Sequence, residues 1–181
     1  MERGGIVGRG VLLDYAAFVQ RHNIHVEPFT TWSIPIAHLK QLVEEENIKF
    51  RPGDILFVRS GFIAAYEALT SQQEEALPAR KGSQFIGIES SLEAARWIWE
   101  NKFAAVAGDM PGFEAAPSHH VQVSLHQWIL AGWGVPIGEL FYLEELAREL
   151  KTSGRKTFFV SSMPLKVSSR SVHPRIATTS I

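Results

Sequence analysis

Seven histidines (His22, His25, His38, His119, His120, His126 and His173) and no cysteine set the chemistry open to this 181-residue chain. Without thiols there is no disulfide, no thiolate nucleophile and no cysteine-ligated zinc or iron–sulfur site, so any metal must rest on His, Asp and Glu. His22 and His25 lie three apart at the polar end of a predicted helix and its loop, with Glu27 the one carboxylate close in sequence, and read as surface residues. His119 and His120 are adjacent, and neighbours on an extended chain point to opposite faces, which disfavours a shared ion. His126 stands apart, in the first turn of a predicted helix and thirteen residues before Glu139. A helix, a glycine turn and a returning strand could bring that imidazole and carboxylate together. From spacing alone the signal is weak, and the bland reading is a helix histidine satisfied by a carbonyl and an exposed acid at a strand end.

Two further acids fall at strand ends. Asp109 closes the apolar run Phe103 to Ala107, and in α/β sheets ligands gather outside the carboxyl ends of strands. The competing reading is a turn aspartate in Gly-Asp-Met-Pro-Gly, and Glu114 shares that loop. Glu89 follows Phe85 to Ile88 in the same manner, or simply favours the start of the next helix through its dipole. The N-terminal glycines precede a strand instead of joining a strand to a helix, and no Gly-Lys-Ser/Thr follows, so they are not a phosphate loop. A Gly-x-Ser-x-Gly nucleophile elbow is also missing.

The elements that must position these residues alternate between strand and helix. Strands are predicted to end at Asp14 and to cover Ile55 to Val58, Phe85 to Ile88, Phe103 to Ala107, the proline-containing edge piece Val135 to Ile137, and Thr157 to Val160. Helices are predicted over Tyr15 to Arg21, between Pro35 and Asn47, over Phe62 to Leu69 and in a short piece capped by Thr70 or Ser71. Further helices run from a Ser90 or Ser91 cap to about Asn101, from Ser124 to about Ala131, and over Leu143 to Lys151 up to Gly154. In the Ser90/Ser91 helix, Leu92, Ala95, Ile98 and Trp99 are expected on one face. Trp97 and Trp99, two apart, cannot both face the same core, so one is a surface or interface candidate. Pro78 to Ser83 reads as a surface loop. This alternation defines an α/β domain.

Composition bounds the function. Eighteen Lys+Arg against nineteen Asp+Glu, a net charge of −1, and 45% hydrophobic residues describe one ordinary globular domain. No basic run offers phosphates a surface, which argues against nucleic acid. Trp128 to Gly138, the most apolar later stretch, is too short for a bilayer and contains Gly132, Gly134 and Pro136. Nothing near Met1 reads as a secretory signal, so a cytoplasmic location is expected.

In series, five segments resemble the putative cyclase family, which includes the bacterial-type kynurenine formamidases (arylformamidases) and isatin hydrolases. They are Gly5-Ile6-Val7-Gly8-Arg9-Gly10-Val11-Leu12-Leu13-Asp14, Arg51-Pro52-Gly53-Asp54-Ile55-Leu56, Gly87-Ile88-Glu89, Ala104-Ala105-Val106-Ala107-Gly108-Asp109, and Leu125-His126 through Gly138-Glu139-Leu140. The resemblance covers the chain to about Val167. It implies a swivelling β/β/α single domain over 1–167, incomplete at the N-terminus, with a divergent, disordered tail over 168–181. It also implies metal-dependent hydrolysis of a small amide or lactam, with zinc or manganese, as in the kynurenine step of tryptophan catabolism, and a homodimer or other self-association.

By the same resemblance, His126 matches a metal-site histidine with a part in catalysis, Glu139 matches a carboxylate ligand, and Asp109 matches an acid with a structural or supporting role. Relatives carry most of their metal ligands on a His-x-Gly-Thr-His-x-Asp motif upstream of the Gly-Ile-x-Gly-Arg-Gly region, and these 181 residues do not contain it. A catalytic zinc site generally needs three protein ligands and one open position, and two matched ligands bind weakly. The sequence therefore carries two expectations: a metal-dependent amide hydrolase, or a non-catalytic relative that acts as an oligomerisation or interaction partner.

Overall fold

The computed structural model describes residues 5–79, 82, 84–117, 123–164 and 176–177. His119, His120 and His173 lie outside these residues, as do most of the 168–181 tail and part of the predicted 78–83 loop. The chain order is β1 (Ile6–Asp14), α1 (Tyr15–Arg21), β2 (Ser33–Ile34), α2 (Ile36–Glu45), β3 (Ile55–Arg59), α3 (Phe62–Glu67), α4 (Ser71–Ala76), β4 (Gly87–Ile88) and α5 (Leu92–Glu100). It continues with β5 (Ala105–Gly108), a π-helical turn (Gln127–Gly132), β6 (Ile137–Gly138), α6 (Glu144–Ser153), β7 (Thr157–Pro164) and β8 (Ile176–Ala177).

One six-stranded sheet of order β6-β5-β3-β1-β7-β8 organises the domain, and β2 and β4 form a separate two-stranded ribbon. β1, β3, β5 and β6 run parallel, so Asp14, Arg59, Gly108 and Gly138 end together at one edge, while β7 pairs antiparallel with β1. Both faces of the parallel strands are covered, which is why these segments read as continuous apolar runs. Val11, Leu13, Leu56, Val58 and Val106 face one core with Phe18, Leu39, Leu42 and Ile98. Leu12, Ile55, Phe57 and Ala107 alternate to the other side, under Leu146, Ala147 and Leu150 of α6. α6 stops at Gly154, whose φ of 68° is the left-handed cap that favours glycine.

Local chemistry accounts for most boundaries. Asp14 accepts from the Ala17 amide at 3.0 Å and starts α1. Thr70 and Gln73 form a reciprocal capping box on α4. Ser91, not Ser90, caps α5, accepting from the Ala94 amide at 3.0 Å. β6 is the sheet edge, where the carbonyl of Pro136 still accepts from Val106 at 3.0 Å although proline has no N–H to give.

Three expectations change, and a fourth, that one of Trp97 and Trp99 is a surface residue, holds. The predicted Phe85 to Ile88 strand shrinks to Gly87–Ile88, with Phe85 making only an isolated bridge to Ala116. α5 buries Ala94, Ala95 and Ile98, while Leu92 and Trp99 are exposed, because the sheet meets α5 on its alanine side. Trp97 packs on Phe50 and Phe103, which leaves Trp99 as the surface residue, 59% exposed. His22 does have a partner, Glu45 of α2 at 3.0 Å, brought close by packing instead of by sequence.

Candidate functional site

The C-terminal edge of the parallel strands gathers the polar side chains. Val106 pairs with Ile137 and Ala107 with Gly138, so Asp109 and Glu139 each emerge just beyond that register. Between them the loop after β5 doubles back along β4: Ile88 donates to the Phe113 carbonyl at 2.8 Å, and Ala115 donates to the Ile88 carbonyl at 3.0 Å. Gly87 makes this approach possible. A Cβ there would overlap the backbone of Glu114 and Ala115.

Glu114 is thereby aimed at the start of the next helical segment. Its carboxylate accepts from the Ser124 hydroxyl at 2.9 Å, from the His126 amide at 3.2 Å and from the Leu125 amide. These are free amides of a helix N-terminus, satisfied by a distant glutamate more than by the predicted Ser124 cap, whose contact with the Gln127 amide is 3.4 Å. The segment then adopts a π-helical turn over Gln127–Gly132 where a regular α-helix was expected. Such turns are frequent at functional sites.

His126 is held between two acids. Its Nε2 lies 2.9 Å from Glu139 Oε1, and its Nδ1 lies 3.4 Å from Glu114 Oε1. Glu139 Oε1 is also fixed by the Phe113 amide, at 3.0 Å. Glu114 is the inner acid, with its side chain 13% exposed, whereas His126 and Glu139 open to solvent at about one third exposure each. Donation to the Glu114 and Glu139 carboxylates outweighs partial burial and pushes the imidazole up to about 9. Burial alone would raise the Glu114 carboxyl, but bonds from His126 and Ser124 hold it below the usual carboxylate range.

Asp109 does not join them. It is fully buried and accepts from the Ser60 amide at 2.6 Å, the Ser60 hydroxyl at 2.7 Å and the Gly61 amide at 2.9 Å. Burial pushes its carboxyl up, against these bonds. It therefore pins the turn between β3 and α3. Glu89 accepts from the Ser91 hydroxyl at 2.7 Å, next to the α5 cap.

An ion about 2 Å from each of two donors suits a pair 2.9 Å apart, so His126 and Glu139 fit as two ligands of one cation. The 3.4 Å approach of His126 Nδ1 to Glu114 suits it further, since a carboxylate behind a ligating histidine fixes which nitrogen faces the ion. Among the described residues, however, no group of three or more His, Asp or Glu could hold an ion. Glu114 is taken up by helix amides. The described residues thus offer a cation two donors, fewer than the three protein ligands of a catalytic zinc site.

Fold and site define an α/β domain with a mixed, mainly parallel sheet and a histidine–carboxylate cluster at its C-terminal edge. The family profile described as putative cyclase matches residues 1–115, and the chain belongs to that family. The matched segment ends before His126 and Glu139. A crystal structure of a novel cyclase superposes with a TM-score of 0.72 at 30% identity, over 90% of this chain and 48% of that one. Isatin hydrolase A from Ralstonia solanacearum gives 0.57 at 17% identity, over 90% of this chain and 55% of that one. Isatin hydrolase A from Labrenzia aggregata bound to benzyl benzoate gives 0.59 at 18%, over 90% and 56%. The chain thus spans about half the length of the solved structures it matches. No curated protein matches the sequence. Among the described residues no helix is long and apolar enough to cross a membrane.

Proposed function

We propose that this chain supplies His126 and Glu139 to a divalent-metal site, zinc or manganese, in a hydrolase acting on a small amide or lactam, of the kynurenine formamidase type. Family membership and the fold shared with isatin hydrolases support the reaction class. The observation that carries the reading is the 2.9 Å approach of His126 Nε2 to Glu139 Oε1 at the C-terminal sheet edge. When bound, the metal supplies Lewis acidity that polarises an amide carbonyl and lowers the pKa of water. The chain's own residues prepare the donors. Glu114 orients the ring through Nδ1, the Phe113 amide fixes Glu139, and His126 gives up its Nε2 proton when a cation takes its place.

The test is zinc titration calorimetry on the 181-residue chain, paired with an N-formylkynurenine hydrolysis assay. Weak binding that His126→Ala and Glu139→Ala both abolish is expected. Turnover is expected at background in this chain and metal-dependent once it is extended upstream by a His-x-Gly-Thr-His-x-Asp segment. Zinc binding untouched by either substitution would remove the pair from the site. A second reading, a non-catalytic relative that acts through association, is favoured by the missing third donor among the described residues. It predicts no turnover even in the extended chain.

A further inference from the structure

At the opposite end of β5 and β6 from His126 lies a cavity of about 550 Å³, within the roughly 300–1,000 Å³ range of small-molecule sites. Two other cavities, of about 30 and 170 Å³, are too small for a ligand of that kind. Trp99 from the end of α5 and Trp133 from just beyond the π-helical turn form its walls, their rings 5.1 Å apart and tilted by 44°. Ile98, Phe103 and Val135 complete an apolar lining. Trp128 also packs on Trp133, with ring centroids 6.1 Å apart. None of Glu114, His126 or Glu139 lines this cavity, so it is separate from the histidine–carboxylate cluster.

Two charged residues of opposite sign, Glu100 and Lys102, line the same cavity. Both are exposed, and among the described residues neither side chain has an ion-pair partner. One free carboxylate and one free ammonium beside aromatic walls are complementary to a molecule with a flat ring, a cation and an anion. We propose that this cavity binds a small aromatic zwitterion, the chemistry of a free aromatic α-amino acid. The ring lies against Trp99 and Trp133, its ammonium meets Glu100, and its carboxylate meets Lys102. Tryptophan faces suit both the ring and the neighbouring cation.

L-phenylalanine is the probe, because it is dark when tryptophan is excited. Titrating it into the full chain is expected to change tryptophan fluorescence saturably, and Trp99→Ala is expected to weaken binding about tenfold, the ~1.4 kcal/mol of an aromatic contact. Phenylacetate, lacking the ammonium, and phenethylamine, lacking the carboxylate, are each expected to bind several-fold more weakly. Glu100→Gln should erase the advantage of phenylalanine over phenylacetate, and Lys102→Gln its advantage over phenethylamine. Absence of saturable binding up to roughly 10 mM would overturn the proposal. So would affinity unchanged in Trp99→Ala, or equal affinity for phenylalanine and both analogues. Sedimentation covers the remaining occupant: if the chain self-associates and Trp99→Ala makes it monomeric, the cavity is covered by a second copy and the proposal fails.

Discussion

His126 and Glu139, on opposite sides of a π-helical turn and a short edge strand, meet with Nε2 2.9 Å from Oε1. Glu114 closes the other side of the ring at 3.4 Å. An imidazole between two carboxylates is an imidazolium at neutral pH, and this has consequences for stability as well as for ligand binding.

With His126 pushed up to about 9 and an unfolded value near 6.5, the folded chain holds a proton in that interval that the unfolded chain does not. The contribution is fully present below about pH 6.5 and is lost as pH rises through 9. Urea midpoints measured at several pH values across this window should fall for the native chain and fall less for His126→Ala. Parallel profiles would show that the imidazole is not coupled to its acids.

Gly87→Ala should destabilise the fold by about 1–3 kcal/mol, because the new Cβ overlaps the backbone that carries Glu114. The same change should lower the His126 pKa towards its ordinary value by pulling Glu114 away. NMR titration of the ring reads the second effect. A pKa unchanged in a folded Gly87→Ala chain would show that Glu114 is positioned by something else.

Asp109→Asn should cost about 3 kcal/mol, since three buried donors from Ser60 and Gly61 would face an amide that brings donors of its own. At 2–4 °C per kcal/mol for a chain of this size, the midpoint should drop by roughly 6–12 °C. Ser60→Ala removes one of these bonds and should cost about 1 kcal/mol. Scanning calorimetry on both variants checks the order. An Asp109→Asn chain as stable as native would refute the turn-pinning role.

The two tryptophans of α5 should respond unequally. Trp97, packed on Phe50 and Phe103, should cost about 3 kcal/mol when changed to alanine, whereas Trp99, with Trp133 its one ring neighbour among the described residues, should cost about 1 kcal/mol or less. Chemical unfolding of the two variants decides this, and the milder loss keeps Trp99→Ala usable as a folded binding control.

By itself the sequence determined most of the elements and their order, though not β2, β8 or the π-helical turn. The apolar runs at Val11 to Leu13, Ile55 to Val58 and Ala105 to Ala107 became buried parallel strands, and Asp14, Thr70, Ser91 and Gly154 became caps, because strand burial and capping are written in neighbouring residues. The 13-residue separation of His126 and Glu139 named both partners but left their meeting open. Tertiary structure alone decided three things. Glu114, noticed only as a neighbour of Asp109, became the second acid on His126, because β4 draws the 113–115 segment back across the site. Asp109 turned inward to Ser60 and Gly61, away from the open cluster, because β3 ends beside β5. Trp99 and Trp133, thirty-four residues apart, came to share one cavity. Each of these depends on which strands pair and where a chain crosses its neighbour, and contacts between distant segments leave no periodicity or spacing in the sequence.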